Sequence, residues 1–356
     1  MRFFTYIPVA LTLFSMFACG PKSPQPTSTS ASPFATTPQL PSPRAGTYAR
    51  VIATPSDPAI GAVIGERRWD ASLSGAASGL ALRAVDNEGG YSMREIREAA
   101  WNAGYPYPIS HLAVWQTEAK NPPPSDLQTW LSEIPEKMDI GLVRARSGTR
   151  ETWVALAANP LIDLGIIPRE VSVQTPLKFP KIASATLEIS NPLGLWTKNP
   201  LTAPKTVNLD TEGEWVIAIT DNDGDLARFT LYAGTKVPEE AIILGPALPV
   251  KDNAAAIVVA KDILADARQM YGLGPLSQDP FLNSTAQAWL QTPSDTVDAA
   301  LSQWKCRSRT VEDCMDQMLW IPEYRKGLLR PDSKYVGFAA KVRTDDVQLR
   351  VLIASE

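Results

Sequence analysis

Residues 21–45 cannot belong to a packed core. Seven are proline and nine are serine or threonine, and only Lys22 and Arg44 carry charge. Such a stretch has too little apolar surface to offset the entropy of ordering it, and its prolines hold it extended. Folding is left to the residues C-terminal to it. In a chain of 356 residues that remainder exceeds one compact core and calls for two or three domains. With 44% hydrophobic and 20% charged residues the composition is globular. The net charge of −4, with no basic block, speaks against nucleic acid as a partner. His111 is the single histidine, and there are three cysteines. A Ser-His-Asp triad, a Cys-His pair or a His-rich zinc site therefore has at most one imidazole to draw on.

Ahead of the proline-rich stretch, Met1-Arg2 is followed by an apolar run from Phe3 to Phe17. A basic tip and a short apolar run form a secretory signal, too short for a comfortable membrane span. The run ends in Met16-Phe17-Ala18-Cys19-Gly20, which resembles the lipobox of bacterial lipoproteins. Met16 stands where Leu is usual, and Phe17 is bulkier than the common residue. The resemblance implies that residues 1–18 are a signal peptide, cleaved before Cys19. Cys19 then receives diacylglycerol on its sulfur and a palmitate-type acyl chain on its amine. Residues 19–51 become a tether from a membrane lipid, and Gly20 implies the outer membrane. The plainer reading is an ordinary signal with an incidental cysteine. In an oxidising periplasm, Cys306 and Cys314 would join in a disulfide across a helix start; two buried thiols are the other reading.

Three regions lie beyond the tether. Residues 52–160 read as α+β. Ala71–Val85 has a helical composition. Ser92 and Glu95 form a capping box, with Ile96, Ala99, Ala100 and Ala103 on one face before Gly104. Ser125 with Gln128 starts a third helix, and Ile140–Ala145 with Thr152–Ala157 form a hairpin. Residues 166–250 have short β-rich runs between frequent turns, the signature of a small β-sandwich. Trp215, Ile217 and Ile219 share one strand face there, and Phe229 with Leu231 share one on its partner. Residues 253–356 return to helices: one capped by Asn253, one from Thr292 carrying Val297, Ala300, Leu301 and Trp304, and one over Thr310–Trp320. Val336–Val342 and Leu349–Ala354 close the region as strands.

The third region carries Arg268, Gly272-Leu273-Gly274-Pro275-Leu276, Asp279-Pro280 and Ala286-Gln287-Ala288-Trp289. It continues with Ile321-Pro322-Glu323-Tyr324-Arg325-Lys326-Gly327-Leu328-Leu329-Arg330-Pro331 and Tyr335-Val336-Gly337-Phe338-Ala339-Ala340. In that order these motifs resemble the CAP superfamily of SCP-like, cysteine-rich secretory domains, over about 100 residues. The resemblance implies a C-terminal α-β-α domain. It also implies a cavity at Glu323, Tyr324 and Arg325, with Tyr324 where the family has a metal-binding histidine. A phenol that titrates near 10 is no substitute for a neutral imidazole, so neither metal nor cofactor is expected. Arg68-Trp69-Asp70-Ala71-Ser72-Leu73 and Asp139–Val143 with Trp153–Leu156 are similar to the same helix start and closing strands. The readings are a second, eroded half and a coincidence of α+β pieces.

Other residues carry less. Asp221-Asn222-Asp223-Gly224-Asp225 fails the EF-hand register and reads as a hairpin turn before a weak calcium site. Tyr105-Pro106-Tyr107-Pro108 is a rigid turn or an aromatic ligand loop. Arg94, Glu95, Arg97 and Glu98 read as a solvated helix face. Together these features predict a lipid-anchored cell-envelope protein without enzymatic activity. Its role is structural or recognition, with an envelope protein, lipid or peptidoglycan as partner. The alternatives are a histidine-free hydrolase using Glu312, Asp313 and Glu323, and a lipid carrier with an open apolar groove.

Overall fold

The computed structural model describes residues 46–84, 91–118, 123–237, 250–291 and 301–355. The signal, Cys19 and most of the tether lie outside the described residues. The chain is α+β. Its first module holds β1 (Thr47–Tyr48), α1 (Pro58–Ile64), α2 (Ala71–Ala84), α3 (Met93–Asn102), β2 (Ile109–Glu118), α4 (Ser125–Glu133), β3 (Asp139–Ser147) and β4 (Arg150–Ala158). The three long strands pair antiparallel in the order β2-β4-β3. Because strand side chains alternate, β3 sends Val143 and Ala145 toward α2 and α3, and Ile140 and Leu142 toward α1 and α4. Two apolar cores result, one on each side of the sheet. The Ser92–Glu95 capping box forms as expected. Ser125 does not cap α4; Pro124 holds that position and has no side-chain donor or acceptor to offer.

The second module contains β5 (Ile167–Pro168), β6 (Glu170–Val171), β7 (Pro176–Phe179), β8 (Thr186–Ser190), β9 (Trp196–Pro200), β10 (Lys205–Asn208), β11 (Gly213–Thr220) and β12 (Asp225–Ala233). A five-stranded sheet, β6-β12-β11-β8-β9, faces the β10-β7 pair. Trp215, Ile217, Ile219, Phe229 and Leu231 fill the space between them, together with Phe179 and Leu209. Asp221 makes the β11–β12 turn. Its N–H donates to the Gly224 carbonyl, and its Oδ1 accepts from the N–H groups of Asp223 and Gly224.

The third module holds α5 (Asn253–Met270), β13 (Ser277–Gln278), α6 (Pro280–Gln291), β14 (Leu301–Ser308), α7 (Val311–Trp320), α8 (Pro322–Leu328), β15 (Tyr335–Val342) and β16 (Val347–Ala354). The sheet order is β13-β15-β16-β14. Asp252, not Asn253, caps α5; the Asn253 side chain accepts instead from the Val342 N–H at 2.8 Å. The helix expected from Thr292 is corrected over its second half. Leu301–Ser308 pairs residue by residue with β16, from Leu301↔Ala354 to Ser308↔Val347. Trp304 and Leu301 fit a helical spacing, but Lys305 and Arg307 alternate with Trp304 and Cys306, and the open edge of β16 takes the segment as a strand. The first half of that helix lies outside the described residues.

The first and third modules share one plan. In each, a short parallel bridge precedes a helix, Trp69↔Ile140 in one and Gln278↔Val336 in the other. The next residue is an aspartate whose N–H donates to the bridged strand: Asp70 to the Ile140 carbonyl and Asp279 to the Val336 carbonyl, each at 3.0 Å. Each carboxylate then accepts an amide three residues on, from Leu73 at 2.7 Å and Leu282 at 2.8 Å. A glycine comes next in the strand, Gly141 or Gly337. A Cβ there would stand 2.6 Å from the carbonyl oxygen of Leu73 or Leu282. The hairpin after it closes against a strand from earlier in the module, β2 or β14. The two similar sequence stretches thus occupy matching places in the first and third modules.

Candidate functional site

The residues of the expected C-terminal cavity sit in three different environments. Glu323 is exposed on α8. Tyr324 is half-buried against the core of the third module, and burial followed by the Glu323 charge pushes its phenol upward. Arg325 is 2% exposed and faces the second module. Its Nη2 donates to the Tyr271 hydroxyl at 3.1 Å and its Nη1 to Glu214 Oε1 at 3.4 Å, while Tyr271 donates to Glu214 Oε2. Burial raises the Tyr271 phenol, so it stays protonated and donates. Arg325 is thus a fastening between modules. Glu312 and Asp313 are buried in the first turn of α7, away from solvent-facing Glu323. His111 is exposed on β2, with its Nδ1 2.9 Å from Ser110 Oγ. Among the described residues, no three His, Cys, Asp or Glu side chains gather closely enough to hold a metal ion.

Cys306 on β14 and Cys314 on α7 are joined in a disulfide with their Cα atoms 5.5 Å apart. Cys314 is fully buried in the core of the third module. A loop of this size removes about 2–3 kcal/mol of unfolded-state entropy. Replacing both cysteines with serine is expected to lower unfolding free energy by about that amount, measured by urea titration. An unchanged midpoint would contradict it.

A cleft opens where the three modules meet. Its volume is about 170 Å³. The first module supplies the Tyr105–Pro108 loop, Trp101 and Arg97; the second supplies Arg228 and Asp225; the third supplies Trp320. Local sequence explains the loop. Pro106 and Pro108 cannot continue α3, and the chain turns outward with the Tyr105 and Tyr107 rings packed edge-on at 5.5 Å. The Arg228 N–H donates to the Pro106 carbonyl at 2.8 Å, fixing this loop to β12. The floor is held just as firmly. Trp101 Nε1–H donates to Thr230 Oγ1 at 2.6 Å, and the Tyr48 hydroxyl lies 3.1 Å from the same oxygen. Buried Arg169 stacks on both rings, 3.9 Å from the Trp101 centroid and 5.0 Å from that of Tyr48.

The face of α3 expected to be solvated is corrected here. Arg94 is buried, and Arg97 reaches across to pair with Asp316 on α7. Burial, and then the neighbouring charge of Arg228, lower the Arg97 guanidinium to about 10. Burial raises the phenols of Tyr48, Tyr105 and Tyr107 above their ordinary value. Of this cleft, only the Tyr-Pro-Tyr-Pro loop carried a sequence signal. Arg228, Asp316 and Trp320 come together through tertiary packing alone.

A second buried group lies in the first module. Asp139 is held by Arg50, through Nε at 2.5 Å and Nη2 at 2.8 Å, and by Arg68 at 3.2 Å. Asp70 is fully buried beside it and accepts from the Val51 and Leu73 amides. Desolvation raises the Asp70 carboxyl to about 6, against those two amides. A carboxyl with a raised folded value binds its proton more tightly in the native state. Its stabilising contribution is complete below about 4 and is lost as pH rises through 6. The stability difference between wild type and Asp70→Asn should therefore move against wild type by about 2 kcal/mol between pH 4 and pH 7. A difference that stays level across that range would contradict this.

No family model matches the sequence, and no curated protein matches it. Solved structures similar to it include the following three. One is venom allergen-like protein 4 of Schistosoma mansoni, at 13% identity over 30% of this chain and 89% of that one, with a TM-score of 0.24. Another is a cysteine-rich secretory protein of Staphylococcus aureus, at 16% identity over 39% of this chain and 56% of that one, with a TM-score of 0.25. The third is Na-ASP-1, at 8% identity over 82% of this chain and 81% of that one, with a TM-score of 0.24.

Proposed function

We propose that the chain is a lipid-anchored cell-envelope protein, that its first and third modules are CAP-like without catalytic chemistry, and that it serves recognition at the cleft between modules. The observation that carries this reading is the make-up of the cleft. General acid–base catalysis needs a group that changes protonation near the working pH. The ionisable lining here is two arginines, an aspartate engaged with one of them at 2.6 Å, and tyrosines raised by burial. Rigid aromatic rings with a few fixed polar groups are the usual build of a binding pocket. The CAP-like assignment is supported by the motifs between Arg268 and Ala340 and by the α-β-α layering of both outer modules. The anchor is supported by the Met16–Gly20 motif and the proline-rich stretch after Cys19.

Detergent phase partition of the full chain, with the mass of its mature N-terminus, tests the anchor. Wild type should enter the detergent phase carrying acyl mass on Cys19, and Cys19→Ala should stay in the aqueous phase or remain unprocessed. A processed, unacylated wild type in the aqueous phase would overturn it. Incubation with one-ring probes tests the absence of chemistry: a probe that binds the cleft should be recovered intact, and a converted probe would overturn that reading.

A further inference from the structure

The recognition reading leaves the class of ligand open, and the ligand assigned to the cleft from its lining rests on that reading. Cavities of about 150 Å³ with apolar walls take one benzene ring. This cleft, at about 170 Å³, is of that size, and its floor is aromatic. It is not wholly apolar. Arg97 and Arg228 line the same wall, and each gives one terminal nitrogen to a carboxylate, Arg97 Nη2 to Asp316 and Arg228 Nη2 to Asp225. The Nε of each guanidinium is buried and has no hydrogen-bond partner among the described residues. Closed off from solvent, the two Nε atoms show how far both guanidiniums are desolvated, and the nitrogens not given to an aspartate are what this wall offers an anion. Each arginine is paired with one aspartate, so these four side chains sum to zero, and one added negative charge unbalances the wall less than the two of a phosphate monoester.

We infer that the cleft binds a small monoanionic carboxylate built on a single aromatic ring, with the ring on the Trp101–Tyr107 floor and the carboxylate between Arg97 and Arg228. Guanidinium–carboxylate pairing fixes the anionic end and orients the ring. No residue in the arrangement attacks the ligand, which enters and leaves unchanged.

Calorimetric titration of the mature full chain with phenylacetate, phenylacetamide and toluene tests this. Phenylacetate should bind at least about tenfold more tightly than phenylacetamide, since a charged partner at a hydrogen-bonded site is worth a factor of about ten or more. Arg228→Met should remove that preference. Ala100→Leu, which fills the cleft and keeps both arginines, should abolish binding of all three probes and keep the variant assay independent of how Arg228→Met folds. Equal binding of phenylacetate and phenylacetamide would overturn the charge assignment and leave the recognition reading standing. No binding by any of the three would overturn both.

Discussion

Gly337→Ala is expected to destabilise the protein by about 3 kcal/mol, the upper end of what overpacking a core costs. The new Cβ would stand 2.6 Å from the Leu282 carbonyl oxygen and closer still to the Leu282 carbonyl carbon. That backbone is the first turn of α6, clamped by Asp279 and held on β15, so it cannot give way without disturbing the helix cap. Gly141→Ala places a Cβ against the Leu73 backbone in the same manner, and a comparable loss is expected from the first module. Gly274→Ala is the control. No atom lies within 4 Å of a Cβ there, and its cost should be within about 0.5 kcal/mol. Equilibrium denaturation of the three variants decides the matter. Matching losses at Gly337 and Gly141 with none at Gly274 would support the shared plan of the two modules; a neutral Gly337→Ala would contradict it.

Glu214→Ala carries the second large effect. Arg325 is 2% exposed, and Glu214 at 3.4 Å is its carboxylate partner. Removing one side of a buried pair leaves an uncompensated charge and costs about 3–5 kcal/mol. Tyr271 loses its acceptor at the same time. The loss falls on the contact between the second and third modules, so unfolding should become less cooperative as well as easier. Replacing both partners with apolar residues, as Glu214→Leu with Arg325→Met, should recover most of the stability, because the desolvation penalty then disappears from both sides. A single Glu214→Ala variant as stable as wild type would show that the fastening contributes nothing.

The sequence made the α+β class, the capping box of α3, the core faces of β11 and β12 and the closing hairpins legible, because each rests on local periodicity or a local cap. Cys306 and Cys314 were legible as a pair through their spacing. The strand at Leu301 was not, since its assignment depends on an edge of β16 that lies far along the chain. The solvated reading of Arg94 and Arg97 failed for the same reason. Charges on one helix face look exposed until a distant helix, here α7 with Asp316, packs over them. Asp252 displaced Asn253 as a cap because Asn253 is occupied with β15. The cleft was visible only through its Tyr-Pro-Tyr-Pro loop. Trp101 and Arg97 lie close by on α3, but Asp225, Arg228 and Trp320 come from more than a hundred positions away, which no pattern in a single stretch reveals.

The claim that three modules jointly form one binding site can be read at two indoles. Trp101 belongs to the first module and Trp320 to the third, and both line the cleft. In a nuclear magnetic resonance titration with phenylacetate, their indole N–H signals should shift along a single binding curve with one midpoint, while the indole of Trp153, buried elsewhere in the first module, stays still. Silence at Trp320 while Trp101 responds, or no response from either, would contradict the account.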